Sequence, residues 1–393
     1  MLRLHMFMVN KSWANKSLGL AALALMPLLA FAQDGPLDPY SSIKFNLPPN
    51  SPVSMMSATY GDSRATARGG ALVLDLHISL SLRNQDAKRI RGITMLISAQ
   101  ESAPGGRASY SVPTLDVRPG ETFPLKIDVQ LIRPVQGGSG PLVQVTLDGI
   151  LFEGLQFFGP NKLNSRRTMT FWELQNQRDR TYLKQVLATR GMGALQQEML
   201  ESLERQAQRP GLDVQVSRGG RAVGAAARPD HMAQFAFLNV PSAPVELIDG
   251  WADISGNEAR DARIHLDNKS RRPVKYVEVG WIVKDNNGRE FLAGSLPSSE
   301  ADMYLPPGQR GEILQDTTLK FSHGRKEALP IASMTGFVSQ VEYADGSAWV
   351  PTREALGNTH LGKLMSPSPE EQRLTDLYKK KGMAALLQDL NRN

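Results

Sequence analysis

The sequence repeats itself once at an offset of about 190 residues, and this repetition limits what the chain can fold into. Four matches occur in the same order along the chain, and the offset drifts by a few residues, as expected when insertions fall in loops. We therefore predict two related blocks, residues 43–205 and 235–393. The matching segments are Phe45-x-x-x-Pro49-x-x-Pro52-Val53 with Phe237-x-x-x-Pro241-x-x-Pro244-Val245, Leu80-x-Leu82-x-Asn84 with Ile264-x-Leu266-x-Asn268, Pro119-Gly120-Glu121 with Pro307-Gly308-Gln309, and the segment beginning Gly191-Met192 with the segment beginning Gly382-Met383.

The segment between the blocks, residues 206–234, is rich in glycine, alanine and arginine and has no hydrophobic periodicity. Such a composition is typical of a flexible linker. Arg218, Arg221 and Arg228 make the segment locally basic, but no aromatic residue is interleaved with them, as RNA binding by stacking would need. We predict a linker.

Most of each block reads as β-strands. Apolar residues alternate with period two from Leu72 to Leu82, from Leu125 to Leu131, and within 274–283. Asp345-Gly346 is a hairpin-turn signal, because glycine accepts positive φ without a steric penalty, and Asp148-Gly149 is assigned to the matching turn of the first block. Short strands at this spacing predict an antiparallel β-sandwich in each block.

Each block ends in a helical pattern that a glycine interrupts. We expect Gly191 and Gly382 to end one helix and start another. The apolar stripe has two interpretations: the helices cover the sandwich of their own block, or they bind a partner. The predicted fold is therefore mainly β, with two tandem related antiparallel β-sandwich domains, each followed by C-terminal α-helices. The stripes comprise Leu183, Val186, Leu187, Leu195, Met199 and Leu203 in the first block, and Leu374, Leu377, Tyr378, Leu386, Leu387 and Leu390 in the second.

Three segments of the second block, residues 266–270, 277–285 and 305–309, carry a family resemblance. They combine an Asn-x-Ser turn, a strand ending in an acidic residue before a glycine turn, and a Pro-Gly-Gln loop. This pattern resembles the FxLYD-like and related immunoglobulin-like sandwiches of exported bacterial proteins. The resemblance implies a binding or structural module and brings no catalytic residues with it.

Residues 1–32 have the layout of a secretory signal peptide. Basic residues precede the apolar run 17–29, and Ala30-Phe31-Ala32 provides a small-x-small cleavage site. The run is short for a membrane span, although an uncleaved anchor is the alternative interpretation. We therefore expect an exported protein, periplasmic or extracellular, with no transmembrane segment after cleavage.

Composition excludes several classes of function. The chain has no cysteine, which rules out disulfides, thiolate metal sites and cysteine nucleophiles. The formal net charge is +6, but three of the 45 basic residues and none of the 39 acidic ones lie in the signal segment, which leaves +3. That excess is too small to indicate nucleic-acid binding.

No motif for catalysis, a cofactor or a metal ion emerges. The six histidines are isolated, with no H-E-x-x-H pattern, and His77 and His265 read as outward-facing strand residues. There is no nucleophile elbow, Walker loop or dinucleotide fingerprint. We predict no cofactor and no metal. A carboxylate pair set by spatial separation would escape this search, so a hydrolytic or carbohydrate-active protein stays open. Carbohydrate binding through Trp251, Trp281 or Trp349 also stays open.

One segment has an unusual density of aromatic, amide and arginine side chains, and the second block has no clear counterpart to it. It is either an extra hairpin that packs its aromatics or a loop that binds a partner, since aromatic and arginine residues are the usual anchors of interfaces. The candidate partner-binding residues are Phe157, Phe158, Asn161, Asn164, Arg166, Arg167 and Trp172.

Together these features predict a non-catalytic interaction or scaffold protein of the bacterial envelope that binds another protein or a surface component. The expected partner is a protein of the envelope and not a nucleic acid. The alternative is a carbohydrate-binding or hydrolytic protein on the same scaffold.

Overall fold

The described part of the chain is mainly β, with 47% of its residues in strands and 26% in helices. Contacts divide it into two compact units, Met1–Met169 and Thr170–Asn393, which we call the N-terminal and C-terminal units. The predicted signal peptide, residues 1–32, lies outside the described residues. The computed structural model describes residues 35–36, 39–99, 105–134, 141–209, 211–218, 231–296, 302–315, 317–324, 327–357, 359 and 361–392.

The N-terminal unit contains two five-stranded sheets. One has the order β1-β4-β5-β3, with β8 beside β5, and the other has the order β10-β9-β6-β7, with β2 parallel to β9. Side chains from both sheets share one buried cluster, because alternate residues of each strand point inward. The strands are β1 (Gly35–Pro36), β2 (Ile43–Asn46), β3 (Val53–Thr59), β4 (Arg64–Arg68), β5 (Ala71–Asn84), β6 (Ile90–Ser98), β7 (Arg107–Val112), β8 (Thr122–Pro134), β9 (Val143–Phe152) and β10 (Phe157–Phe158).

The C-terminal unit contains a seven-stranded and a five-stranded sheet. The larger has the order β11-β19-β15-β14-β12, with β18 beside β15 and β20 beside β19. The smaller has the order β13-β21-β16-β17, with β22 beside β21. Their strands are β11 (Leu212–Arg218), β12 (His231–Gln234), β13 (Ala236–Phe237), β14 (Val245–Ser255), β15 (Glu258–Asn268), β16 (Val274–Lys284), β17 (Glu290–Leu296), β18 (Arg310–Gln315), β19 (Thr317–His323), β20 (Glu327–Ala328), β21 (Ser333–Tyr343) and β22 (Ala348–Trp349).

Two fully buried asparagines, Asn84 and Asn268, form the same corner in the two units. Asn84 donates its side-chain amide to the carbonyls of Lys88 and Val117, at 2.9 and 3.2 Å. Asn268 donates in the same way to the carbonyls of Arg272 and Leu305, at 2.8 and 2.9 Å. Each side-chain oxygen accepts the backbone N–H two residues later. The matched sequences Leu-x-Asn and Pro-Gly-Glu/Gln therefore build one repeated structural element.

The long helices pack on each other, an arrangement that neither sequence interpretation, covering the sandwich of their own block or binding a partner, had specified. Leu183, Val186, Leu195 and Met199 share a buried cluster with α5 residues such as Leu386. The apolar faces of two separate helices bury each other, and sequence alone does not indicate this pairing. The helices are α1 (Pro39–Ser42), α2 (Ser165–Gln208), α3 (Arg353–Gly357), α4 (Leu361–Leu364) and α5 (Pro369–Asn391), and Glu153–Leu155 is a short 3₁₀ turn.

Both long helices break at glycine, as predicted. Gly191 has φ 81° and ψ −177°, and Gly382 has φ 77° and ψ −175°. Only glycine adopts this region without strain, so each residue separates two helical segments. The two breaks have nearly the same dihedral angles, as the sequence match between the two segments would suggest.

The boundaries differ from those predicted by sequence. The division after Met169 places most of α2 in the C-terminal unit, whereas the range 43–205 had assigned it to the first block. Within the predicted linker 206–234, β11 pairs with β19 and β12 pairs with β14. The alternation of Leu212, Val214 and Val216 explains the first of these strands, and the surrounding glycines and arginines obscure it. Residues 219–230 lie outside the described residues.

The turn assignment for Asp148-Gly149 was wrong. Both residues lie inside β9, and Asp148 is buried. Its carboxylate accepts the backbone N–H groups of Lys162 and Leu163, at 2.8 and 3.3 Å. The chain turns instead at the 3₁₀ segment that contains Gly154, which has φ 72°. A buried aspartate that organises a loop has the same sequence appearance as a turn residue.

Candidate functional site

A cleft of about 540 Å³ opens in the C-terminal unit. One wall is the second segment of α2 from Glu198 onward, together with Arg209 just after the helix end, and the opposite wall runs from α3 through α4 to Pro367. The floor of the cleft carries Arg178, Tyr182 and Glu371. The cleft volume lies in the usual range for ligand sites. Its lining combines several charged side chains of both signs.

Glu371 anchors the floor of the cleft. Its Oε1 accepts hydrogen bonds from Ser202 Oγ at 2.6 Å and Arg205 Nη2 at 2.8 Å, and its Oε2 accepts from Arg353 Nη1 at 3.1 Å. Burial alone would raise the pKa of Glu371, but the two guanidinium groups and Ser202 outweigh it and hold that pKa below its ordinary value. Glu371 is therefore an ionised structural carboxylate.

Asp179 forms the second anchor, beside Glu371. Arg178 donates to both of its carboxylate oxygens, at 2.7 and 2.9 Å, and Arg353 Nη1 lies 3.7 Å from Oδ1. Arg353 also lies over the ring of Tyr182, with 5.3 Å between the guanidinium carbon and the ring centroid. Arg353 thus bridges the two buried carboxylates and fixes the start of α3 to the paired helices.

A separate ion network joins α2 to α5. Arg180 pairs with Glu370 and with Asp389, and Arg373 donates to Asp389 at 2.6 and 2.9 Å. Burial opposes ionisation of Asp389, but Arg373 and Arg180 lower its pKa below the ordinary value. In the first block, the positions matching Arg373 and Asp389 are Tyr182 and Glu198, which are joined by a 2.8 Å hydrogen bond. The matching positions are therefore paired in both blocks, by a tyrosine–carboxylate hydrogen bond in the first and by an arginine–carboxylate ion pair in the second.

Four charged residues at the rim of the cleft lack an ionic partner among the residues that the structure describes. Arg209, Lys363 and Glu354 make no side-chain hydrogen bond or ion pair there, and Glu201 accepts only the amide of Gln197, at 3.0 Å. Each of the other charged residues that line the cleft makes a side-chain hydrogen bond or an ion pair. The rim therefore offers two cations and two anions to a ligand, above a floor whose charges already neutralise one another.

The residues of the predicted partner-binding segment lie in a short strand, in the turn after it and at the start of α2. Phe157 and Phe158 form β10, which pairs with Leu151 and Ile150 of β9, and Phe158 packs against the core. Trp172 lies beyond the division after Met169, in the C-terminal unit. Phe158 therefore packs as part of a hairpin, and partner binding by this segment stays a prediction.

The hairpin does have a counterpart, contrary to the sequence interpretation. Trp349 of β22 pairs with Val341 of β21, in the register by which Phe158 pairs with Ile150. The sequence hid this match because an aromatic pair in one block corresponds to Ala348-Trp349 in the other. After the hairpin the two segments differ: one enters α2, and the other forms α3 and α4 before α5 begins.

The polar residues of the same segment organise the start of α2. Asn161 has φ 58°, and its Oδ1 accepts the backbone N–H of Arg166 at 2.9 Å. Asn164 has φ 53°, and its carbonyl accepts the N–H of Thr168 at 3.3 Å. Arg166 and Arg167 are half-buried. Asparagine tolerates the left-handed region, so these two residues suit the turns that precede a helix.

His77 and His265 lie on the outer faces of their strands, as predicted. His77 Nδ1 lies 3.0 Å from Asp128, and His265 Nδ1 lies 2.6 Å from Asp249. The hydrogen bond to Asp128 raises the pKa of His77 above its ordinary value.

No group of three or more histidine, aspartate or glutamate side chains suited to a metal ion occurs within the described residues. Trp281 is buried in the core, whereas Trp251 and Trp349 are half-buried.

The cleft residues were missed by sequence analysis because they come from distant segments. One local signal was present: Ser368 followed three residues later by Glu371 is a capping pattern. Ser368 Oγ accepts the backbone N–H of Glu371 at 3.1 Å and caps α5. That pattern locates the helix start, but the arginines that meet Glu371 lie about 20 and 170 residues away in sequence.

Comparison with known proteins gives no family. No family model matches the chain, and no curated protein matches it. Among solved structures, the chain is similar to pT26-6p at 10% identity, covering 85% of this chain and 73% of that one, with a TM-score of 0.13. A pumpkin seed globulin aligns at 14% identity over 86% and 94% of the two chains, with a TM-score of 0.09. These scores are too low to carry an argument.

Within the described residues, no helix is both long enough and apolar enough to span a membrane.

Proposed function

We propose that this chain is a non-catalytic, exported binding protein of the bacterial envelope that recognises a protein partner through the cleft of its C-terminal unit. The cleft is the observation that carries the proposal. Its floor is held by buried ion pairs, while Arg209, Lys363, Glu201 and Glu354 stand at its rim with no ionic partner in the part of the chain that the structure describes. A neutralised floor gives a rigid base, and unpaired rim charges give specificity to an incoming surface.

The state of the buried carboxylates supports binding over hydrolysis. A glycosidase-type acid needs a carboxyl group whose pKa is raised by an apolar or acidic environment. Among the described residues, each carboxyl group whose pKa departs clearly from its ordinary value is lowered, as at Glu371 and Asp389. Arginine partners cause both of these shifts. Such carboxylates stabilise structure and do not donate protons near neutral pH.

We further infer that each unit contains an immunoglobulin-like sandwich and that the two derive from one duplicated domain. Support comes from the two sheets that share one buried core in each unit, from the matching corners at Asn84 and Asn268, and from the matching final hairpins. Sandwich modules of this kind commonly act as binding scaffolds, which agrees with the proposed role.

Capture of the partner tests the proposal. The purified chain would be crosslinked in an envelope fraction, in parallel with the variant Arg209→Glu/Lys363→Glu and a control variant, Arg68→Glu/Lys126→Glu. Arg68 and Lys126 are exposed residues of the N-terminal unit, so the control carries the same charge change away from the cleft. We expect the control to recover the same partner as the natural chain and the cleft variant to lose it.

Two outcomes would overturn the proposal. Equal recovery by all three proteins would place binding elsewhere, and the triple variant Asn164→Ala/Arg166→Ala/Arg167→Ala would then test the predicted loop before α2. Turnover of envelope polysaccharide by the purified chain, abolished by replacing one carboxylate, would favour the hydrolytic alternative.

A further inference from the structure

The rim charges of the cleft are arranged with opposite signs at opposite ends of one helix face. Glu198, Glu201 and Arg205 are spaced three or four residues apart, so they lie along one side of α2. Arg209 follows directly after the helix and continues its last turn, since its N–H donates to the carbonyl of Arg205 at 3.1 Å. All four residues line the cleft. Glu198 is bound by Tyr182 and by Arg190. Arg205 is bound by Glu371. This leaves Glu201 as the available anion and Arg209 as the available cation.

The separation of these two groups sets the length of a matching ligand. Eight residues of helix correspond to about 12 Å along the axis. An extended peptide covers that distance in about four residues. The cleft volume of about 540 Å³ is large enough for a short stretch of chain. The wall opposite the helix includes the exposed Gly357 and the half-buried Met365, which offer apolar contact to a peptide backbone and small side chains.

The sign balance argues against a simple ion. Lys363 and Glu354, on the opposite wall, add one more cation and one more anion to the pair on the helix. A purely anionic ligand would meet two unpaired carboxylates, and a purely cationic ligand would meet two unpaired cations. Like charges brought together in a partly enclosed site cost free energy, so only a ligand carrying both signs satisfies the rim.

We propose that the cleft binds a short extended peptide segment that carries an acidic and a basic side chain about four residues apart. The acidic side chain meets Arg209, and the basic side chain meets Glu201. This inference rests on the proposed function and specifies the ligand of the same cleft. The direction of the bound peptide decides whether the acidic or the basic residue comes first in its sequence.

Synthetic pentapeptides test the inference on the complete chain. Isothermal titration would compare acetyl-Asp-Ala-Ala-Ala-Lys-amide and its reversed order, acetyl-Lys-Ala-Ala-Ala-Asp-amide, with the peptides that carry two aspartates or two lysines. We expect one of the two mixed peptides to bind at least about fivefold more tightly than either like-charged peptide. Equal binding of the two-aspartate peptide would contradict the inference.

A charge swap provides the sharper measurement. In the variant Glu201→Lys/Arg209→Glu the two ends of the cleft exchange sign, so the preferred order of the mixed peptides should reverse. The single variant Arg209→Glu should weaken the preferred peptide about tenfold, while the control Arg68→Glu leaves it unchanged. Retention of the original preference after the swap would overturn the inference.

Failure of the inference is distinguishable from failure of the proposed function. If the cleft variant loses the envelope partner but no mixed peptide binds preferentially, the cleft is the binding site and the ligand class is wrong. If neither the partner nor any peptide responds to the cleft variants, both the proposed function and the inference are wrong.

Discussion

The asparagine corners and the segments that follow the final hairpins contrast sharply. At the corners, Asn84 and Asn268 make the same hydrogen bonds in the two units, at nearly the same distances. After the hairpins, the first block enters α2 directly, whereas the second forms α3 and α4 and only then α5. The corner is buried in both units and is repeated. The segment after the hairpin builds the cleft wall and is not repeated.

The same contrast holds for charge. The sequence position that matches Glu371 in the first block is occupied by Arg180, which serves the other ion network. Glu371 and its partners Arg205 and Arg353 therefore have no equivalent set elsewhere in the described residues. The comparison teaches that the duplicated features maintain the fold, and that the feature unique to one unit carries the proposed site.

Removing the unique ionic anchor should have one of the largest effects. Glu371→Ala leaves the half-buried Arg353 and Arg205 without their shared buried carboxylate, and we expect the free energy of unfolding to fall by about 3 kcal/mol. Chemical denaturation of the complete chain measures this. Glu312→Ala, which removes an exposed carboxylate near Arg263, is the control and should cost less than about 1 kcal/mol. Equal losses would show that the floor is not a special anchor.

The repeated corners should respond alike. Asn84→Ala and Asn268→Ala each remove two donated hydrogen bonds and leave buried carbonyls unsatisfied, so each should cost about 3 kcal/mol. The two losses should agree within about 1 kcal/mol, because the two asparagines donate to backbone carbonyls at corresponding positions. A large loss at one corner and a negligible loss at the other would break the structural equivalence of the units.

Sequence reasoning was most successful where the signal is local. The alternation from Leu72 to Leu82 predicted β5, and Gly191 and Gly382 were identified as helix breaks, because period and backbone preference are properties of a few adjacent residues. The turn at Asp148-Gly149 was misplaced because the Asp-Gly dipeptide does not by itself distinguish a turn from a buried aspartate that binds a loop. The pairing of α2 with α5 and the meeting of Arg353 with Glu371 depend on tertiary contacts, which no local pattern records.

The glycine breaks should be the next most sensitive feature. Gly191→Ala and Gly382→Ala force a side chain into a backbone region that only glycine adopts freely, and each should cost about 2 kcal/mol. Gly193→Ala is the matched control, since nothing lies within 4 Å of the added carbon and φ is not positive. That control should be neutral or slightly stabilising. Thermal unfolding of the three variants checks the order.

Acid should weaken the protein by a smaller, graded amount. The pKa values of Glu371 and Asp389 are lowered in the folded protein by their arginine partners. The unfolded chain therefore binds these protons at higher pH than the folded chain does. The stability they contribute is complete above about pH 5 and is lost as the pH falls through the lowered pKa values. Unfolding measured between pH 6 and about pH 3 should show this decline, and Glu371→Gln should make it shallower. An unchanged slope in that variant would remove Glu371 from the explanation.

Site-specific photocrosslinking tests the assignment of binding to the segment that is not repeated. A photoreactive residue would replace Met365, on the cleft wall, or Tyr304, an exposed residue that does not line the cleft. We predict that the partner forms adducts with the protein labelled at position 365 and not with the one labelled at 304, and that Arg209→Glu abolishes the adduct. Adducts at 304 with none at 365 would contradict the account.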